Sequence, residues 1–138
     1  MRGGRAWIDT GALVALASPR DQYHSRAVAL AKAHAESHGT WVSSVLVLDE
    51  FHRLLLHRAG RGPARTAINR LLVDPTMRWL PVTPAIVSAA MSAWIDRFHD
   101  QDFSLTDAVG FELMKRERIS EAFAFDRHFV EAGYRVVG

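Results

Sequence analysis

The chain has 138 residues, of which 49% are hydrophobic and 23% charged, and it contains no cysteine. This length predicts a single domain, residues 1–138, large enough to bury its own core. The lack of cysteine excludes disulfides and thiolate chemistry, which is typical of the reducing cytoplasm. The net charge is only +2 although the isoelectric point is about 9.5, because arginine far outnumbers lysine. Nucleic acid is therefore a permissible partner, but the charge does not require one.

The first residues combine a basic start with an apolar run, a pattern that imitates a secretory signal peptide. Asp9 interrupts that apolar run, which a signal peptide rarely tolerates. No stretch approaches the roughly 18 uncharged apolar residues of a membrane span. We expect a cytoplasmic protein with no membrane contact.

Apolar runs and turn residues alternate along the chain, and they predict strands separated by helices. The predicted strands are 5–8, 40–42, 77–82, 122–125 and 134–137. The predicted helices are 10–18, 22–37, 45–59, 63–73, 84–98, a segment that begins after residue 104, and 127–132. This alternation favours an α/β fold, a five-stranded parallel sheet flanked by helices on both faces.

Three aspartates occupy similar places in this predicted fold. Asp9 follows the first strand and precedes a helix, Asp126 ends the apolar run 122–125, and Asp107 lies in the first turn of a helix. Ligands of open parallel sheets bind outside the carboxyl ends of the strands, so one acidic site at that edge is predicted. Each residue also has a structural interpretation, because Asp9 and Asp126 could cap helices and Asp107 could form a capping box with Ser104.

Glu50 is a fourth candidate, in the predicted helix 45–59. It borders an apolar stripe at helical spacing, formed by Val47, Phe51, Leu54 and Leu55. A carboxylate beside a buried face needs a partner, because burying an unpaired charge is costly. For Glu50 that partner could be Arg53, Arg58 or a cation in a cleft, whereas its neighbour Asp49 is predicted to be solvated or paired with an arginine.

Carboxylates brought together repel one another, and they stay ionised at neutral pH mainly when a cation neutralises them. Oxygen ligands without cysteine suit Mg²⁺ or Mn²⁺. Such an ion can activate a water molecule and stabilise the charge of phosphodiester cleavage. Three further residues could contribute around the carboxylates: Thr106 through its hydroxyl, Asp102 from the preceding loop, and His128, which could touch a substrate phosphate or pack and cap the following turn.

Four segments carry a family resemblance. They are WIDTGALVAL around Asp9, SSVLVLDEFHRLL around Glu50, FSLTDAVGFELMK around Asp107 and FAFDRHFVEAGY around Asp126. In this order the segments resemble those of the PIN-domain family, and within it the VapC-type toxins of bacterial toxin–antitoxin pairs. The resemblance covers essentially the whole chain and implies the parallel α/β fold of that family. It also implies that the four acidic residues form a metal-binding nuclease centre, with Asp9 and Asp107 as the most direct ligands.

The same resemblance implies a function and partners. The expected activity is an endoribonuclease dependent on Mg²⁺ or Mn²⁺ that cuts structured RNA such as tRNA or rRNA. The expected assembly is a homodimer inhibited by a cognate antitoxin whose tail fills the cleft. Two other functions stay open: a non-catalytic module that holds a basic peptide in its acidic cleft, and a metal-dependent phosphoesterase acting on DNA or small nucleotides.

Arginine and tryptophan are two further residue types that bear on nucleic acids. A basic stretch crosses two predicted helices and consists of Arg53, Arg58, Arg61, Arg65 and Arg70. Such stretches are most often solvated faces, although this one could lead RNA phosphates to the cleft or pair with acidic antitoxin residues. The tryptophans are spread along strands and helices, which favours core or dimer-interface packing over base stacking; they are Trp7, Trp41, Trp79 and Trp94.

Overall fold

A computed structural model describes residues 3–137 and contains one sheet of five parallel strands. The strands are β1 (Arg5–Ile8), β2 (Thr40–Ser44), β3 (Met77–Leu80), β4 (Glu121–Phe123) and β5 (Arg135–Val137). Their order across the sheet is β3-β2-β1-β4-β5, and every neighbouring pair is parallel. This confirms the predicted fold class and places β1 at the centre of the sheet.

Helices connect the successive strands, as parallel pairing requires. They are α1 (Thr10–Ala17), α2 (His24–Glu36), α3 (Val45–Ala59), α4 (Arg61–Val73), α5 (Pro84–Ala90), α6 (Leu105–Glu117) and α7 (His128–Glu131). Each predicted helix is present. No helix within residues 3–137 has both the length and the apolar character that crossing a membrane requires.

The second strand is longer than predicted, because β2 extends to Ser44 instead of ending at residue 42. The hydroxyl of Ser43 donates to the main-chain oxygen of Ile8 over 2.9 Å. Ser44 still pairs with Leu80, and β3 ends at that pair, two residues before its predicted end. Serine has a modest strand propensity, so here the tertiary pairing decides the boundary.

Two other boundaries differ for identifiable reasons. The fourth strand was predicted at 122–125 but ends at Phe123, and Phe125 instead stacks on the ring of Tyr23. Helix α4 begins at Arg61 instead of residue 63, because Gly60, with φ of 90°, makes the break between the two helices. A proline is tolerated in the first helical turn, where its missing N–H has no partner to lose.

The helix predicted at 84–98 is α5 followed by a π-helical segment, Met91–Asp96. The wider turn places Trp94 in the core, where its indole N–H donates to Glu112 over 3.3 Å. Three of the four tryptophans are buried and Trp79 is half-buried, so the predicted packing role is confirmed. Leu54 is 39% exposed, so its assignment to the core-facing stripe of α3 was wrong.

Helix α6 passes unusually close to the central strand at Gly110. A Cβ atom at this position would lie 3.1 Å from a ring carbon of Trp7, which is fully buried. Trp7 lies two residues before Asp9, and Gly110 lies nearly one helical turn after Asp107. This contact therefore sets how closely the first turn of α6 approaches the carboxyl end of β1.

Candidate active site

Asp9 stands at the carboxyl end of β1, in the N-cap position of α1. Its side chain makes no capping hydrogen bond, and the residue is only 5% exposed. Helix capping, the alternative interpretation from the sequence, therefore does not account for this carboxylate. Its main-chain N–H donates to Phe123 of β4 over 3.0 Å, which ties the residue to the neighbouring strand.

Asp107 forms the predicted capping box at the start of α6. Its Oδ2 atom accepts from the main-chain N–H of Ser104 over 3.3 Å, and its own N–H donates to the Ser104 hydroxyl over 3.1 Å. The same Oδ2 atom accepts from the ring Nδ1 of His128 over 2.9 Å. Within residues 3–137 no hydrogen bond reaches Oδ1. Capping and metal binding are thus compatible for Asp107, because they use different oxygens.

Asp126 and His128 lie in the loop after β4 and at the start of α7. The main-chain N–H of His128 donates to Oδ1 of Asp126 over 3.0 Å, the capping contact that the sequence suggested. Three possible metal-ligand atoms lie within 4.8 Å of one another, one each from Asp107, Asp126 and His128. The sequence marked His128 only as a possible contributor. Its position two residues after Asp126 is the sequence feature that could have identified His128 as part of the site.

The pKa values of two aspartates report how closely the carboxylates are packed. Burial raises the pKa of Asp9 well above its usual value, and the charges of Asp126, Asp107 and Glu50 raise it further. Desolvation raises the pKa of Asp126, and the charge of Asp107 adds to that shift. We call Asp9, Asp107 and Asp126 the acidic cluster. A divalent cation would relieve its internal repulsion.

Glu50 lies half-buried on α3, near enough to the acidic cluster to raise the pKa of Asp9 but outside the closest group. Neither expected arginine binds it: Arg53 pairs with Asp49 at 3.0 Å, and Arg58 pairs with Asp21 at 3.2 Å. The arginine pairing predicted for Asp49 is confirmed. In the part of the chain that the structure describes, Glu50 has no ion pair, so neither arginine offered by the sequence neutralises it.

The two remaining candidates differ in position. Thr106 is half-buried in the first turn of α6, next to Asp107. Asp102 is exposed in the loop before α6, and its side chain forms no hydrogen bond or ion pair with any residue from 3 to 137. Thr106 therefore lies next to Asp107 of the acidic cluster, whereas no hydrogen bond or ion pair among residues 3–137 links Asp102 to that cluster.

The residues present fit a hard divalent cation. The acidic cluster offers carboxylate oxygens, including the uncommitted Oδ1 of Asp107, and Mg²⁺ and Mn²⁺ prefer such ligands. Asp9 and Asp126 follow the carboxyl ends of the neighbouring strands β1 and β4, where parallel α/β domains bind their ligands. Burial and then the neighbouring carboxylates raise the pKa of Asp9, and a bound cation would offset the part of that shift due to repulsion.

The fold and the acidic residues at one edge of its sheet define a class of protein. The chain belongs to the PIN domain family, whose model matches residues 6–133. The chain is 30% identical over 128 residues to the 23S rRNA-specific endonuclease VapC20 of Mycobacterium tuberculosis, covering 93% of this chain and 94% of the relative. The crystal structure of that VapC20, a sarcin-ricin loop cleaving toxin, has a TM-score of 0.84 at 29% identity, covering 94% of this chain and 95% of that one. The predicted resemblance to VapC-type members is confirmed.

More distant structures share the fold alone. FitAcB from Neisseria gonorrhoeae has a TM-score of 0.66 at 19% identity, covering 96% of both chains. VapBC2 from Rickettsia felis, bound to a DNA fragment from its promoter, has a TM-score of 0.66 at 11% identity, covering 96% of this chain and 97% of that one. The fold is therefore retained where little sequence identity remains.

Proposed function

We propose that this protein is a metal-dependent endoribonuclease that acts as the toxin of a type II toxin–antitoxin system. The observation that carries the proposal is the convergence of Asp107, Asp126 and His128 within 4.8 Å, with the buried carboxylate of Asp9 beside them. Likeness to a 23S rRNA-specific endonuclease over almost the full length supports an RNA substrate, with rRNA the first class to test and tRNA the second. The proposed ion is Mg²⁺ or Mn²⁺.

Each carboxylate has a proposed role. Asp9 and Asp107 bind the ion most directly, Asp107 through Oδ1 because Oδ2 holds Ser104 and His128. Asp126 completes the ligand set, and Glu50 binds the ion or orients the attacking water from α3. A bound divalent ion supplies an activated water and stabilises the charge that develops on the phosphate. The proposed role of Thr106, which precedes Asp107 in the first turn of α6, is to contact the substrate through its hydroxyl.

The proposed protein partners follow from the likeness to a VapC toxin. A cognate antitoxin would occupy the acidic cleft, and the active species would be a cytoplasmic homodimer. Purification with the protein encoded beside this gene, followed by light scattering, tests both points. A monomer that neither binds nor is inhibited by that neighbour would contradict them.

The experiment that tests the activity is cleavage of an rRNA and tRNA pool by purified protein with Mg²⁺ or Mn²⁺, beside an EDTA control and Asp107→Asn. Asparagine keeps the size of the side chain and an oxygen for the capping box, but it removes the charge. We expect discrete products from the wild type alone, lost with EDTA. An Asp107→Asn protein that cuts at the wild-type rate would overturn the role of Asp107.

The same assay separates the two other functions. Single-stranded and duplex DNA, run in parallel with the RNA, test a phosphoesterase that acts on DNA. Folded protein that is free of a partner and cleaves nothing with either ion would favour the peptide-binding module. The likeness to an endonuclease favours the nuclease over that module.

A further inference from the structure

A cavity of about 270 Å³ opens beside the acidic cluster and shares Asp126 with it. It lies between α1, the start of α2, α3 and the loop after β4, and we call it the Tyr23 pocket. The residues that matter here are Gly11, Asp21, Tyr23, Arg58, Phe125 and Asp126. We propose that the Tyr23 pocket binds one nucleobase of the RNA, next to the phosphodiester that is cut. This inference rests on the proposed function.

An aromatic stack forms one side of the pocket. The rings of Tyr23 and Phe125 are 4.5 Å apart and parallel to within 4°, and Tyr23 is 36% exposed. A nucleobase can extend such a stack, because every base has a flat π-face. Aromatic side chains with exposed faces are the usual platforms for unpaired bases of RNA.

The carboxylate of Asp21 connects this aromatic stack to the side chain of Arg58. Asp21 accepts the main-chain N–H of Tyr23 at Oδ1 over 2.9 Å and the Arg58 guanidinium at Oδ2 over 3.2 Å. The Asp21 side chain is 14% exposed, whereas that of Arg58 is 51% exposed. Asp21 engages one of the five N–H donors of Arg58, which lines the pocket, and this leaves donors that a base edge or a phosphate can accept.

The position of the pocket determines which nucleotide of the RNA, relative to the cut, it would bind. Because Asp126 lines the pocket and also belongs to the acidic cluster, a base bound there belongs to a nucleotide flanking the scissile phosphate. Gly11 also lines the pocket, and a Cβ atom at this position would meet no atom within 4 Å. A larger side chain at position 11 therefore meets no clash at its Cβ atom, and it would narrow the pocket that Gly11 lines.

The test is sequence-resolved cleavage of a randomised RNA library by the wild type, Tyr23→Ala, Tyr23→Phe and Gly11→Leu. We expect a base preference at one position flanking the cut, kept by Tyr23→Phe and lost in the other two variants. Those two should raise KM about tenfold, with a smaller change in kcat. Circular dichroism establishes that each variant is folded.

Arg135→Met is the control, because Arg135 pairs with Glu121 at the amino ends of the strands, away from the site. It should keep both the preference and KM. Folded Tyr23→Ala and Gly11→Leu proteins with wild-type preference and KM would overturn the inference.

If the wild type cleaves no RNA, the proposed function fails. Nucleobase binding by the Tyr23 pocket is then tested separately, without cleavage. Titration with AMP, GMP, CMP and UMP, followed by NMR, should give saturable shifts at the amides of Gly11 and Tyr23 for at least one nucleotide. Flat titrations with all four would overturn the pocket on their own.

Discussion

The ring Nδ1 of His128 donates to Oδ2 of Asp107 over 2.9 Å, while the main-chain N–H of the same residue donates to Asp126 over 3.0 Å. One residue thus orients two carboxylates that come from different elements. The imidazole is itself held edge-on against Phe103, with ring centroids 5.6 Å apart. Since a carboxylate can only accept, Nδ1 carries the proton in this contact. His128 is therefore a positioning residue for the acidic cluster.

Replacing the imidazole should loosen Asp107. We expect His128→Ala to weaken Mn²⁺ binding by about 10- to 100-fold, the usual effect of losing a residue that orients a ligand. Isothermal titration with Mn²⁺ measures this. His128→Asn is the matched control, because its amide can donate near the place of Nδ1 and should recover part of the affinity. Wild-type affinity in His128→Ala would refute the positioning role.

The raised pKa of Asp9 predicts how the metal-free protein responds to pH. A carboxyl whose pKa is higher in the folded state stabilises the fold while it is protonated, and this contribution is lost as pH rises through the folded-state pKa. At neutral pH the Asp9 carboxyl therefore costs stability. With EDTA at about pH 7, Asp9→Asn should melt a few degrees above the wild type, and the difference should shrink toward pH 4.

Thermal melts across this pH range, with and without Mn²⁺, measure both parts of that prediction. Added Mn²⁺ should raise the Tm of the wild type and leave Asp9→Asn nearly unchanged, because a ligand stabilises only the state that binds it. Asp49→Asn, an exposed carboxylate on α3, should respond to Mn²⁺ like the wild type. A metal-free Asp9→Asn less stable than the wild type at neutral pH would contradict the assigned repulsion.

The close approach of α6 to β1 predicts an unusual response at Gly110. A glycine-to-alanine change in a helix usually adds about 1 kcal/mol. Here the new Cβ meets the buried Trp7 ring at 3.1 Å, and overpacking of this kind costs about 1–3 kcal/mol. We expect Gly110→Ala to be about 1 kcal/mol less stable and to bind Mn²⁺ more weakly, because Asp107 moves with α6.

Gly62→Ala is the control for that change. Gly62 lies in α4, where a Cβ would meet no atom within 4 Å, so this variant should be about 0.5–1 kcal/mol more stable. Urea unfolding of both proteins gives the two values. Equal stabilisation at the two positions would show that α6 can yield to the added methyl group.

Glu112 is a buried carboxylate away from the acidic cluster, and Arg116 pairs with it at 2.8 Å. Arg116→Met should cost about 1–2 kcal/mol, a moderate value because the arginine is half-exposed. Adding Glu112→Gln should recover part of the loss, since an amide keeps an oxygen for Trp94 without a buried charge. Urea unfolding measures both variants. A double variant less stable than Arg116→Met would contradict this account.

Much of the candidate site could be predicted locally. The capping box of Asp107 is written in residues 104–107, and the place of Asp9 after an apolar strand and before a helix is equally local. The partner of Glu50 could not be predicted this way. The two arginines that the sequence offered, Arg53 and Arg58, bind other aspartates, and one of those, Asp21, lies in a different part of the chain.

The sequence by itself determined the order of strands and helices, the parallel fold and the acidic residues, because apolar periodicity and capping act over a few neighbouring residues. Tertiary structure alone decided which of these residues meet. Strand β4 pairs with β1, so Asp126 reaches Asp9 and Phe125 reaches Tyr23. Pairing between distant strands depends on packing of the whole sheet, which spacing along the chain does not encode.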